Sequence, residues 1–473
     1  MRVLIIDPPG PCRGLNAGLG YLAGALKAHG QDVFVLDLTN LNLDKDNYKI
    51  GGWGGENIQI PFSEVETRIK DTLQTFNPEL VGISVKTFTA NSASEIINMI
   101  KSVHPNIPIV VGGAHITLDG KEYLKETNAD IGVIGEGEVT LIEICEVIKK
   151  EKSLSEIKGI IYKDKEGVIQ NPERKIIENL DSLPFPKYDS FTSVISNSNK
   201  IVTYPLLTSR GCPYSCTYCS VGKILGKKWR GRTPENVVKE LIYAREKYKI
   251  ENFMIIDDNF TVNLERAKEI CEAFISNDLK MNWSCPNGVR ADRLDEELLL
   301  KMKKSGCKEI SISIESADEH VFKMIKKGET LEDVRNAIRM AEKVGIGVSG
   351  FFIIGLPYAS LESDLKSIEF AKKEGIGSFW GNLIPYPHTE VWDYVQEYGK
   401  MLRDFKESHH ATNKPEPIFE TMEYSEEDRV KAFYIINSRT GNFGRLIDFN
   451  KTMSSLDNLK ILNMIALLQG SDV

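Results

Sequence analysis

Short continuous apolar runs alternate along this chain with longer segments whose apolar residues recur every three to four positions. Val3–Asp7, Asp32–Leu38, Leu80–Thr87, Ile107–Val111 and Ile131–Gly135 read as strands. Leu15–His29, Phe62–Phe76, Asn91–His104 and Thr140–Lys150 read as the helices between them. Strands apolar on both faces belong to a parallel sheet covered by helices on each side, which predicts a doubly wound α/β domain over residues 1–150. Pro8-Pro9-Gly10 stops the first strand, and Gly30 ends a first helix with small residues along one side (Ala17, Gly20, Ala23, Gly24).

The alternation resumes at Ile201. Strands are predicted over Ile201–Ser209, Asn252–Phe260, Asn282–Arg290, Lys308–Ser316, Gly347–Pro357 and Ser378–Pro387. The helices between them include Pro234–Tyr248, Leu264–Ser276, Asp295–Lys304, Leu331–Val344 and Leu361–Lys373, the first with Thr233 as N-cap. Six such units predict a partial (β/α)6 barrel of the TIM type over residues 200–395. Residues 151–199 hold a hairpin within Lys158–Glu173 and a proline-rich linker at Leu183-Pro184-Phe185-Pro186-Lys187-Tyr188. Residues 396–473 read as a small, mainly helical region, with helices at Tyr424–Ile436 and Leu456–Leu468 joined around Gly441–Gly444.

Composition narrows the class. At 473 residues, 41% hydrophobic and 27% charged, the chain is a globular protein of two or three domains. No apolar stretch approaches a membrane span, and eight cysteines in a chain this long do not make a secreted disulfide framework. A cytoplasmic protein is the expectation. A net charge of -8 gives no default for a nucleic-acid partner, and the basic run Lys223–Arg232 reads as a solvated loop.

Candidate chemistry collects at strand ends, where parallel α/β folds bind ligands. In the first half these ends are Asp7-Pro8-Pro9-Gly10, Ser84 with Thr87, Gly112-Gly113-Ala114-His115 and Gly135-Glu136-Gly137-Glu138. Glycines there let the backbone come close to a large flat or phosphate-bearing ligand. In the second half the end of the first strand carries Cys212, Cys216 and Cys219, three thiols in eight residues. Soft thiolates in such a cluster suit iron–sulfur or zinc, and three ligands leave one corner free. Cys271, Cys285 and Cys307 lack that spacing and read as small hydrophobes. His409-His410 has no flanking ligand types at helical spacing.

The Cys-x-x-x-Cys-x-x-Cys motif, with Tyr218 before its last cysteine and after the first barrel strand, resembles the radical S-adenosylmethionine superfamily. The opening Val-Leu-Ile-Ile-Asp-Pro-Pro, Val110-Val111-Gly112-Gly113 and Gly135-Glu136-Gly137-Glu138 resemble the cobalamin-binding domain of its cobalamin-dependent branch, the class B type methyltransferases. Only Cys12 and Cys145 precede the motif, which excludes the methylthiotransferases with their second cluster.

The resemblance implies a 4Fe–4S cluster on Cys212, Cys216 and Cys219, with S-adenosylmethionine on the fourth iron. It implies S-adenosylmethionine contacts from Tyr218, from Asp257 and Asp258, from Glu315 to the ribose, and from Gly355 to the adenine. Cobalamin contacts would come from Pro9, Ser84, Thr87, Gly112, Gly113, Gly135, Glu136 and Gly137, with His115 either near the corrin or an ordinary loop histidine. No Asp-x-His-x-x-Gly motif is present, so cobalt would carry no protein histidine. Arg290 could pair with the substrate or the methionine carboxylate, and His388 could move a proton or be a plain surface residue.

The implied activity is methylation of an unactivated carbon through a 5′-deoxyadenosyl radical and methylcobalamin. The alternatives are a cyclase or rearrangement enzyme with the same cofactors, and a cobalamin- or redox-responsive regulator holding zinc. The implied partners are a small-molecule, lipid or peptide substrate and a one-electron reductant such as flavodoxin or ferredoxin.

Overall fold

The structure is a computed structural model that describes residues 1–10, 14–40, 61–150, 152–407 and 415–440. Cys12, His409, His410, the Gly441–Gly444 segment and the helix expected at Leu456–Leu468 lie outside the described residues.

The first sheet has seven strands: β1 (Arg2–Asp7), β2 (Asp32–Asp37), β3 (Leu80–Ser84), β4 (Ile109–Gly112), β5 (Ile131–Val133), β6 (Ile160–Asp164) and β7 (Gly167–Gln170). Their order is β2-β1-β3-β4-β5-β6-β7, with β1 to β5 parallel and β6 and β7 antiparallel. Helices α1 (Ala17–Ala28), α2 (Phe62–Phe76), α3 (Ala90–Val103), α4 (Ala114–Glu126) and α5 (Gly137–Lys149) cover it. The strand order reverses at β1, which opens a crevice beyond its carboxyl end.

Two differences from the predicted elements have plain causes. Helix α4 escapes the periodicity because Asp119 breaks its helical dihedrals (φ -138°) and Gly120 replaces an apolar residue to let Ile161 of β6 approach. The expected hairpin forms as β6–β7, but it pairs with β5 and so carries the first sheet past residue 150.

The chain then crosses back over α1. A Cβ on Gly20 would stand 2.7 Å from the Tyr188 ring, and one on Gly24 would stand 2.6 Å from the Phe185 carbonyl. The small side of α1 therefore exists to seat the proline-rich connector. A five-residue helix, α6 (Thr192–Ser196), follows, held by Asp37 through the Thr192 and Ser193 hydroxyls.

The second sheet is wholly parallel, in the order β15-β14-β13-β12-β11-β8. It comprises β8 (Thr203–Leu206), β11 (Asn252–Ile255), β12 (Asn282–Val289), β13 (Cys307–Glu315), β14 (Gly347–Ile354) and β15 (Gly377–Asn382). Two-residue strands β9 (Ser209–Arg210) and β10 (Arg230–Gly231) pair antiparallel just past β8, bracketing the cysteine loop and the short helix α7 (Val221–Ile224). Helices α8 (Pro234–Tyr248), α9 (Leu264–Ser276), α10 (Glu296–Lys304), α11 (Glu319–Met324), α12 (Leu331–Val344) and α13 (Leu361–Lys373) alternate with the strands.

Past the barrel come α14 (Glu390–Tyr398), an antiparallel pair β16 (Gly399–Met401) and β17 (Phe419–Thr421), and α15 (Glu426–Arg439). The described tail is thus helical with one added hairpin. Among the described residues no helix is long and apolar enough to cross a membrane.

Both halves share a core. Val3 and Ile5 of β1 belong to the apolar cluster that continues through the connector into the barrel, while Leu4 and Ile6 face a second cluster under α2 and α3. Each of these side chains is at most 2% exposed, and burying one contributes about 1.5–3 kcal/mol.

Candidate functional site

The carboxyl ends of β1, β3, β4 and β5 open onto a cleft of about 430 Å3, whose far wall comes from the end of β8 and the segments beyond it. The near wall and floor carry Ile5, Ser84, Val110, Gly112, Gly113, Gly135 and Gly137, and the far wall Leu207, Arg210, Ile256 and Asp258. The lining is largely apolar, with polar groups at its edge, the composition of a cofactor site.

Glycine is required at two of the rims. Gly113 has φ +109°, and a Cβ there would lie 2.8 Å from the Val85 carbonyl oxygen. Gly135 has φ +72° and nothing within 4 Å of a Cβ position, so its backbone faces open space. Ser84 also lines the cleft, beside Lys86 and Asn16, which both reach Asp7 (3.3 and 3.4 Å).

Three residues expected on this rim stand behind it. Pro9 is half-buried with its carbonyl near the Ser92 hydroxyl, and Thr87 is buried in a short turn before α3. His115 is a core residue of α4, not a loop residue. It is fully buried, edge-on to Tyr123 and near Phe405, with both ring nitrogens unbonded. Burial holds its imidazole down to about 4, with Lys406 adding to the effect. Among the described residues no histidine lines the cleft.

Glu136 lines the cleft and is also held from behind. Its carboxylate meets Arg210 at 2.9 Å and Arg230 at 2.8 Å, and also accepts the Ile177 N–H. Arg210 reaches Glu138 at 2.6 Å with its other nitrogen. All four side chains are at most 7% exposed. Although burial opposes ionisation, the two arginines keep Glu136 below the ordinary carboxylate range. This buried quartet fastens the β5 rim of the first domain to the residue just ahead of Gly211-Cys212. The basic run is therefore only partly solvated: Arg230 and Arg232 are buried, the latter against Glu240 at 2.6 Å.

The cysteine loop leaves β9, is anchored from outside at two points and closes on itself in one turn. Thr217 N–H donates to the Ile325 carbonyl, Val391 N–H to the Thr217 carbonyl, and Cys219 N–H to the Cys216 carbonyl. Arg290 lies 3.6 Å over the Tyr214 ring, and the chain's own carboxylates Asp292 and Glu329 hold it together with the Lys327 carbonyl. It supports the loop from beneath.

The thiols lie close enough for their charges to act on one another. Burial, reinforced by this mutual repulsion, pushes Cys216 up to about 11 and Cys219 up to about 12. The Tyr214 N–H and the Asn259 amide act to lower Cys212 against that burial, and the Val221 N–H acts to lower Cys219. Such donors are what iron-bound sulfur carries. Among the described residues no three His, Cys, Asp or Glu side chains are gathered as the ligands of a single ion would be. Three cysteine thiols are the donor set of an iron–sulfur cluster, with each cysteine on a different iron.

Beside the loop, Asp258 lines the cleft and lies 3.4 Å from the Gly211 N–H. Burial and the neighbouring Asp257 push its carboxyl up to about 6. Asp257 is structural: it accepts from the Thr208 N–H and from the Thr208 and Ser209 hydroxyls at 2.5–2.6 Å.

Tyr218 donates to Glu315 at 2.8 Å, joining the cysteine loop to the end of β13. Glu315 has φ +70° at a register shift, which turns its carboxylate in from the strand, and burial raises its pKa. Gly355 (φ +85°) ends β14 with its carbonyl bonded to Arg429 of α15 and its N–H to Asp364, which also accepts the Tyr424 hydroxyl. The tail thus holds Gly355 from behind. His388, at φ +66°, is exposed and lies 3.1 Å from the Leu118 carbonyl of α4, a bridge between domains rather than a cleft residue. The quartet and the Arg429 clamp carry no signature in a single sequence, because their partners are 70 or more residues away.

A three-cysteine loop at the first strand of a parallel barrel faces a doubly wound domain with glycine rims, the arrangement of an enzyme with a metal cluster on one side and a flat cofactor on the other. The sequence matches the radical SAM superfamily over residues 206–395 and the B12 binding domain over residues 11–145. It is 31% identical to an uncharacterized methyltransferase of Pyrococcus horikoshii, over 84% of this chain and 83% of that one. It is 30% identical to cytidylyl-2-hydroxyethylphosphonate methyltransferase of Streptomyces wedmorensis (76% and 74%). It is 28% identical to anaerobic magnesium-protoporphyrin IX monomethyl ester cyclase of Rubrivivax gelatinosus (92% and 77%). The fold is that of the radical S-adenosylmethionine methyltransferase TsrM of Kitasatospora setae, at TM-score 0.68 and 18% identity over 85% of this chain and 79% of that one.

The chain belongs to the cobalamin-dependent branch of the radical S-adenosylmethionine enzymes. Its cofactors are a 4Fe–4S cluster, S-adenosylmethionine and cobalamin. Cys212, Cys216 and Cys219 offer the donor set for the first, and the glycine-rimmed cleft has the shape for the last.

Proposed function

We propose that this enzyme transfers a methyl group to a carbon with no nucleophilic character, on a small-molecule, lipid or peptide substrate. The observation that carries the reading is the shared cleft, with the corrin rims on one wall and Arg210 and Asp258 of the cysteine-loop side on the other. When bound, the cluster and S-adenosylmethionine supply a hydrogen-abstracting radical and the cobalamin supplies the methyl group.

The chain's own part is placement and exclusion of water. Ser84, Gly112, Gly113, Gly135 and Gly137 let a wide ring lie close to the sheet. Tyr218 and Glu315 offer a donor and a double acceptor to ribose hydroxyls. Ile5, Leu207 and Ile256 keep the space between the walls apolar. Asp258 is the titratable group on the far wall.

Methyl transfer is also the activity in the names of the Pyrococcus and Streptomyces relatives. The Rubrivivax cyclase favours a second reading, ring formation with the same cofactors. The two separate on product mass. With methyl-labelled S-adenosylmethionine, anaerobic turnover of the substrate should add one labelled carbon. An unlabelled product would mean cyclisation or rearrangement.

A further inference from the structure

Successive residues of a strand face opposite sides of the sheet, so the register of β13, β14 and β15 sorts their side chains into two sets. One set, with Ile312, Ile314, Phe352, Ile354 and Trp380, is buried in the core beneath the helices. The other set faces the interior of the barrel. At its lower end Ser311 and Ser349 are buried and bonded to each other at 3.0 Å. One step further along, Ser313, Phe351 and Phe379 stand side by side in register, with Ile353 and Gly381 beyond them.

Barrels of this kind usually fill their interior with layers of bulky branched side chains. Here serine and glycine take many of those places, and the bulky residues that remain are incompletely covered. Phe379 is 37% exposed, and Phe351, Ile353 and Ser313 are half-buried. The two phenylalanine rings lie 5.6 Å apart, tilted by 38°. On β11, Met254 and Ile256 alternate with the core residues Phe253 and Ile255, so they face the same interior. Ile256 also lines the cleft, and Glu315 ends β13 two residues past Ser313. The interior is therefore a trough, closed below by the serine pair and continuous above with the cleft. Above that pair, the only charged inner position of β11, β13, β14 and β15 is Glu315, whose carboxylate accepts the Tyr218 hydroxyl. Lys327, which donates to the Ser313 carbonyl, is buried and paired with Glu329 at 3.3 Å.

We propose that this trough holds the substrate by an uncharged hydrocarbon part, ring or chain, laid on Phe351 and Phe379. The inference rests on the reading of the cleft as the catalytic site, and it narrows the substrate to one that carries such a part. A phosphate or carboxylate in the trough would give up its water with no unpaired cation on these strands to meet it. A hydrocarbon gains contact with two aromatic rings and removes Phe379 from water.

The test measures binding of geraniol and indole, an uncharged chain and an uncharged ring, to the anaerobic holoenzyme by calorimetry. At least one of the two should bind, and geranyl diphosphate should compete for the site about tenfold more weakly. Phe379→Ala should weaken the neutral probe about tenfold, and Phe379→Leu, which keeps the position apolar, about threefold. Phe379→Lys should weaken the neutral probe and strengthen the diphosphate. Iron and cobalamin contents should hold in all three variants. Phe62→Ala, at an exposed position of α2, should bind as the parent does. Failure of both neutral probes to bind would overturn the proposal, as would equal competition by the diphosphate or unchanged binding in Phe379→Ala. The methyl-transfer reading fails separately: an unlabelled product beside this binding pattern would remove methyl transfer and leave the trough as the hydrocarbon site.

Discussion

Gly113 and Cys216 report on the cobalamin and the cluster separately because Gly113 lines the near wall of the cleft and Cys216 belongs to the loop that follows Arg210 of the far wall. A Cβ at Gly113 would press on the Val85 backbone at a φ of +109°, so Gly113→Ala should cost about 1–3 kcal/mol locally and displace the rim. Cobalamin retention, read by absorbance after gel filtration, should drop while iron content stays. Cys216→Ala should do the reverse, losing iron–sulfur absorbance and all 5′-deoxyadenosine formation with cobalamin still bound. Asp364 offers a test at the tail. Burial pushes its carboxyl up to about 7, so between about pH 4 and about pH 7 the folded chain keeps a proton that the unfolded chain releases. Its contribution to stability is full below that window and is lost as pH rises through it. Asp364→Asn, which keeps an acceptor for Tyr424 and Gly355, should therefore gain on the parent in thermal midpoint from about pH 5 to about pH 8; a constant gap would refute this.

Elements with ordinary caps and clean periodicity were legible from the chain alone. Asn16, Thr233, Asn263, Asp295, Thr330 and Ser360 each cap a helix close to its expected start. Helix α4 was not legible, since its kink at Asp119 and its close approach to β6 at Gly120 serve a tertiary contact that local propensity does not encode. That omission carried His115 with it: placed on a loop, it was a candidate for the cleft, and placed on α4 it is core. The cysteine loop was legible because its chemistry is local in sequence. Its supports were not. Arg290 under Tyr214 and Glu315 against Tyr218 join residues 76 and 97 positions apart, and only the fold makes them neighbours.

At the scale of the molecule, the buried quartet of Glu136, Glu138, Arg210 and Arg230 sets how the two walls face each other. Arg210→Met strands Glu138 and half-strips Glu136 in a site nearly closed to water, which should lower stability by about 3 kcal/mol in denaturant titrations. It should also uncouple the cofactors: 5′-deoxyadenosine would still form, but less of it would be matched by methylated product. A variant with unchanged coupling would leave the quartet as a brace and nothing more.

The hairpin β6–β7 governs how this enzyme can be taken apart. A fragment cut at residue 150 would leave β5, the last parallel strand, with a bare edge of unpaired N–H and C=O groups and an apolar face stripped of its neighbour. A fragment cut at residue 175 closes that edge but loses Phe185 and Tyr188, which fill the groove of small residues on α1. The shortest piece that closes the β5 edge and fills the α1 groove therefore runs on through Ser196, where α6 caps the chain against Asp37. Any dissection of this enzyme, or grafting of its first half onto another barrel, has its natural seam at Asn197–Lys200, some fifty residues later than the alternation of strands and helices suggests.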